Sequence, residues 1–166
     1  MNNTEVKEEA KKQDLYNASV KSGLVSTAWY KAIEGYNAYP NDDRFKDAIE
    51  QAGSRSLNYA DRLEAKGNTA GALAYYGRTL DSPWLTSALK NRATTSQARV
   101  MKAIEEDKKE ALYQASVNNR SVSKAWYTAI EGYNAYPKDD RFKDAIEQAA
   151  VRSLNYADSL ESKGKQ

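Results

Sequence analysis

The stretch "AWYKAIEGYNAYPNDDRFKDAIEQA" (residues 28–52) decides the fold, because it returns as "AWYTAIEGYNAYPKDDRFKDAIEQA" at residues 125–149 with two changes. Trp29 maps onto Trp126, an offset of 97 residues, and the same offset carries Leu15-Tyr16 to Leu112-Tyr113 and Arg55–Asp61 to Arg152–Asp158. Self-similarity at a fixed offset is the signature of repeat architecture, in which each unit buries its apolar face against a neighbour. Within the first copy Trp29, Ile33 and Tyr36 fall at i, i+4 and i+7, which sets them on one face of a helix. Ala28, Ala32 and Gly35 follow the same spacing on an adjoining face, where small side chains admit a second helix. Pro40 stops this helix, because it disfavours helical geometry at Tyr39 and offers no donor. The "NDD" that follows supplies an N-cap and acidic first-turn charge to the next helix.

Working outward, the second helix carries Phe45, Ile49, Ala52, Tyr59 or Ala60, and Leu63, and Gly67 is its expected C-cap. Asn68 is placed to cap a short helix whose apolar positions are Ala70, Leu73, Tyr76 and Leu80. In "DSPW", Ser82 reads as an N-cap and Pro83 as a first helical residue. A long helix is expected from there, with a break in the polar run "NRATTSQ". No segment alternates with the period of a strand. The expectation is all-α, with helices over 4–20, 24–39, 42–66, 69–81, 83–118, 121–136 and 139–163. Short connections between them dictate antiparallel helical hairpins. The chain divides into copy 1 (1–69), an unduplicated connecting half-unit (70–104) and copy 2 (105–166). Lys163-Gly164 matches Lys66-Gly67, so a further "TAGALAYYGRTL"-like segment is expected beyond Gln166 in a longer array. An apolar stripe left bare there would favour end-to-end self-association.

"SLNYADRLEAKGNTAGALAYYGRTLDSP" resembles a tetratricopeptide repeat, and "AWYKAIEGYNAYP" is similar to the second helix of one, with Ala28, Gly35 and Pro40 at the small, small and Pro positions. The resemblance covers most of the chain and implies a stacked α-solenoid that binds protein segments. It departs from that family in its longer first helices, its incomplete Trp-Leu-Gly-Tyr series and its 97-residue period. The Tyr- and Ala-rich pattern also resembles helical repeats of secreted, cell-wall-associated proteins of Gram-positive bacteria. That second likeness implies a protein or cell-wall glycan as partner and a secreted or cell-surface location.

Composition narrows the chemistry. The chain has 25 Lys and Arg against 23 Asp and Glu, so its near-neutral charge gives no general pull toward nucleic acid or anionic lipid. Acids interrupt each basic cluster, which argues against a nucleic-acid interface. The apolar runs are far shorter than a membrane span, and the opening "MNNTEVKEEAKKQ" is polar without the apolar core of a secretory leader. Cys and His are both absent, which removes disulfides, thiolate nucleophiles, imidazole acid–base chemistry and most zinc ligation. A chain without Cys suits either an exported or a cytoplasmic setting, the latter as an intracellular adaptor. The carboxylates Glu34, Asp42, Asp43 and Asp47, with copies Glu131, Asp139, Asp140 and Asp144, could form a hydrolase pair only across a cleft. Capping accounts for Asp42 and Asp43, and "NDDRFKD" lacks the turn Gly of a calcium loop. The expectation is therefore a binding chain without catalytic residues, metal or cofactor.

The aromatics carry the functional reading. Twelve Tyr and three Trp against two Phe is a palette of apolar faces with polar handles, suited to wet binding surfaces. Trp29 and Trp126 belong to the core face. Tyr30, Asn37 and Tyr39, with their copies Tyr127, Asn134 and Tyr136, fall off that face and are the expected binding residues.

Overall fold

The computed structural model describes residues 2–164 and contains, among them, seven α-helices and no strand. In order these are α1 (Asn3–Val20), α2 (Val25–Ala38), α3 (Asp43–Ala65), α4 (Thr69–Leu80), α5 (Ser87–Asn118), α6 (Val122–Ala135) and α7 (Asp140–Gly164). Among the described residues no helix is long and apolar enough to cross a membrane. The chain forms two compact units, one running to Met101 and the other starting at Lys102, a boundary that falls within α5.

In the first unit α2 runs back along α1, and α3 runs back along α2. Ser19 of α1 donates to the Ala28 carbonyl, while Tyr16 donates to Asp47 and Arg44 clamps Glu9, so α1 and α3 ascend together. The small-residue face of α2 is buried throughout, at Ala28, Ala32 and Gly35. Gly35 is indispensable to this approach: a Cβ there would stand 2.1 Å from the Phe45 ring. Around Ala28, Ala32, Ala48, Ile49 and Ala52 pack the larger Trp29, Ile33, Tyr36 and Trp84. Proline terminates α2 as expected: Tyr39 leaves helical geometry at φ −137°, ψ 64°. The α3 terminus closes through Gly67, whose φ of 77° admits a glycine without strain. The Gly67 and Asn68 amides then return to the Glu64 and Leu63 carbonyls, satisfying two orphan acceptors.

α4 descends along α3, and the first part of α5 ascends beside it, with Arg92 bonded to Asn58 and Asp61 and Arg99 to Glu64. Three expectations about this region are corrected. The buried face of α4 is Ala72, Tyr76 and Thr79, while Ala70 is exposed and Leu73 and Leu80 are half-buried. Its register is set by Tyr76, whose buried hydroxyl lies 2.6 Å from Asp61 Oδ1 and 2.9 Å from Glu64 Oε2. α5 starts at Ser87, because residues 83–85 are spent packing Trp84 onto the α2–α3 core. Ser82 consequently caps nothing; its hydroxyl accepts from Trp29 Nε1, and Thr86 Oγ1 accepts the Leu89 amide as the true N-cap. "NRATTSQ" does not break α5, since Ala93, Ser96 and Val100 form one buried face through it.

The second unit repeats the first three helices in detail. Tyr136 stacks on Phe142 at 5.8 Å and 22°, against 5.7 Å and 21° for Tyr39 on Phe45. Gly132 meets Phe142 as Gly35 meets Phe45, and Arg141 clamps Glu106 and Asp139 as Arg44 clamps Glu9 and Asp42. Tyr113, Val117 and Trp126 pack around Ala129, Ala145 and Ala149. Among the described residues this unit has no counterpart of α4.

Candidate functional site

Tyr30, Glu34 and Asn37 lie at i, i+4 and i+7 on α2, all exposed, as do Tyr127, Glu131 and Asn134 on α6. Two turns of helix separate the Tyr from the Asn, roughly 10 Å along the axis. An aromatic ring, a carboxylate and an amide are thus presented in a row, twice, by helices whose opposite faces are locked into cores. Tyr30 is 57% exposed and Tyr127 72%, unusual for so large a ring. Tyr30 sits edge-on to Trp29 at 5.0 Å. The Arg78 guanidinium lies 5.6 Å from the Tyr30 ring, 5.7 Å from Trp29 and 4.8 Å from Tyr75. Arg78 was not expected here; it lies in a segment without a second copy, so the repeat gave no signal for it.

Tyr39 and Tyr136 do not join these rows. Each is half-buried, stacked on the Phe of the following helix and faced by a lysine, Lys12 or Lys109, at 5.1 and 5.3 Å. A hydrogen bond with Glu8 raises the Tyr39 hydroxyl above its ordinary pKa, and one with Glu105 does the same for Tyr136. Their rings hold the α2–α3 and α6–α7 corners.

Among the described residues, seven of the eight carboxylates weighed for catalysis have structural partners, Glu131 being the exception. Asp42 accepts the Arg44 amide and guanidinium, and Asp139 repeats this with Arg141. The arginine hydrogen bonds hold both carboxyls below the usual range, against the opposing effect of burial. Asp43 and Asp140 pair with Lys46 and Lys143, while Asp47 and Asp144 accept from Gln51 and Gln148. Glu34 pairs with Lys31 at 2.6 Å; at the equivalent place in the second copy stands Thr128, bonded to the Lys124 carbonyl. Among the described residues no three His, Cys, Asp or Glu side chains are grouped to hold a metal ion. The duplicated Tyr–Glu–Asn row can therefore offer ring stacking and hydrogen bonding, with a carboxylate as the acceptor between them. No protein family, curated protein or solved structure matches this chain.

Proposed function

We propose that the chain is a non-enzymatic helical-repeat spacer and binding scaffold, its hairpins stacked as a tetratricopeptide-like α-solenoid. Its setting in this reading is a bacterial cell-surface or secreted cell-wall-associated protein. The observation that carries the proposal is the recurrence of an exposed Tyr–Glu–Asn row at Tyr30, Glu34, Asn37 and at Tyr127, Glu131, Asn134. A chemical step needs one centre of converging groups, whereas a polymeric ligand is well served by equal subsites repeated along one chain. Tyrosine stacks on a sugar ring or an extended peptide, and the neighbouring amide and carboxylate hydrogen-bond its polar edge.

The experiment is binding of purified Gram-positive cell-wall glycan, and of a peptide library, to the wild type and to Tyr30→Ala, Tyr127→Ala and the double variant. Each single change should weaken binding several-fold. The double change should weaken it by more than either alone, because the remaining subsite no longer benefits from effective concentration. Binding unaltered in the double variant would leave the chain a spacer.

A further inference from the structure

One face of α7 lies bare where its copy in α3 is covered. In the first unit α4 is gripped from both sides. Tyr75 bonds to Ser26 at 3.2 Å and packs edge-on against Tyr59 at 4.8 Å, while Arg78 donates to Ser26 and lies over Trp29. Below them Leu57 is fully buried, and Tyr76 reaches Asp61. The gripping groups recur in the second unit: Ser123, Trp126, Leu154, Tyr156 and Asp158 stand where Ser26, Trp29, Leu57, Tyr59 and Asp61 stand in the first. There Leu154 is 67% and Tyr156 56% exposed. Ser123, Trp126, Ala150, Leu154 and Tyr156 line an open groove of about 870 Å³.

We propose that this groove is a docking site for an amphipathic polypeptide helix with the chemistry of α4. Such a helix presents a small residue, a tyrosine and a threonine at i, i+4 and i+7, as Ala72, Tyr76 and Thr79 do, flanked by a second tyrosine and an arginine. The complementarity is specific. The tyrosine at the Tyr76 position meets Asp158, its neighbour at the Tyr75 position meets Ser123 and Tyr156, and the arginine covers Trp126 and Tyr127. One gripping position differs between the copies, Gly53 against Ala150, and it admits the same occupant. A Cβ built on Gly53 stands 3.4 Å from Leu85, 3.5 Å from Leu89 and 3.6 Å from Thr79, ordinary packing distances. An exposed apolar groove whose twin is filled by a helix inside the same chain is thus assigned its occupant by internal precedent. The proposal goes beyond the Tyr–Glu–Asn rows and does not depend on their ligand.

The test is titration of the isotope-labelled full chain with a synthetic peptide copying residues 67–86. Ala70 and Ala74 are exposed and one turn apart, so a lactam bridge between these positions holds the peptide helical without touching its docking face. Prepaying the helix nucleus removes the usual reason for a short peptide to fail. Saturable amide shifts confined to residues 121–127 and 150–160 are expected. They should weaken at least tenfold for the peptide with Tyr76→Ala and for the chain with Leu154→Asp, a change at an exposed site that leaves helicity intact. No shift at millimolar peptide, or equal shifts with Leu154→Asp, would overturn the proposal. Broadening of the same amides with chain concentration and no peptide would assign the groove to a second copy and overturn it equally. Tyr127 borders both the second row and the groove, so the two readings are separated at Leu154 and Tyr30: Leu154→Asp should abolish peptide docking and spare glycan binding, and Tyr30→Ala should do the reverse.

Discussion

Leu57 and Leu154 occupy the same register of nearly identical helices, yet Leu57 is 0% exposed and Leu154 is 67% exposed. The α3 and α7 sequences around them, "RSLNYAD", are the same seven residues. What separates the two leucines is the cover supplied by α4 and the first part of α5.

That relationship yields an asymmetric mutational effect. Leu57→Ala removes buried methyls and leaves a cavity, at a cost of about 2–5 kcal/mol. Leu154→Ala removes surface exposed to water and should change stability by about 0.5 kcal/mol or less. Chemical denaturation of the two variants checks the difference; equal losses would mean the two faces are covered alike.

Gly35→Ala and Gly132→Ala should both destabilise by about 1–3 kcal/mol or more, because the added methyl falls within 2.1 or 2.2 Å of a buried Phe ring atom. Phe45 and Phe142 are fully buried and hemmed in by Tyr39 and Tyr136, so neither ring has room to withdraw. The Gly53→Ala change offers an internal contrast and should be close to neutral. Thermal melts of the three variants settle the order.

Ser56 is completely buried, and its hydroxyl has no hydrogen-bond partner. Its counterpart Ser153 donates to the Ala149 carbonyl. Removing an unsatisfied buried hydroxyl relieves a desolvation cost, so Ser56→Ala should hold stability level or raise it by about 1 kcal/mol. A loss beyond about 1 kcal/mol in denaturation would show that the hydroxyl is engaged.

Stability should be flat between pH 5 and 8, since the chain has no His to titrate there. Hydrogen bonds from Arg44, Arg141 and Arg99 hold Asp42, Asp139 and Glu64 below their ordinary pKa, with burial opposing. A carboxyl depressed in the folded state contributes stability above the ordinary carboxylate range. That contribution is lost as pH falls through the depressed value, so the decline should begin below about pH 4. Melting temperatures from pH 2 to 8 check this, and high salt should blunt the decline only in part.

Much of the fold was legible in the residues because the decisive signals act locally. Pro40 and Gly67 end their helices through backbone geometry alone, and the spacing of Ala28, Ala32 and Gly35 declares the close face of α2. The start of α5 was not legible. Ser82-Pro83 is a good local helix start, but Trp84 gains more by packing onto the α2–α3 core, and Thr86 takes over the cap. The exposed Tyr–Glu–Asn row was half legible. Tyr30 and Asn37 follow helical spacing and lie outside as expected, and Glu34 belongs with them by the same arithmetic. Tyr39 lies apart from the row because α2 ends at Ala38: beyond the last helical residue the wheel no longer governs direction, and the half-buried ring folds back onto Phe45. Arg78 and the cover over Leu57 come from tertiary contacts of α4, which no local pattern announces.

Hydrogen exchange at the paired segments 53–60 and 150–157 tests most directly whether identical sequence is covered in one copy and open in the other. Both segments are helical, so their amides differ in packing and not in hydrogen bonding. The account predicts that amides at 53–60 exchange only through global opening of the first unit. Those at 150–157 should exchange orders of magnitude faster, through local opening of the uncovered end of α7. Equal protection in the two segments would contradict it.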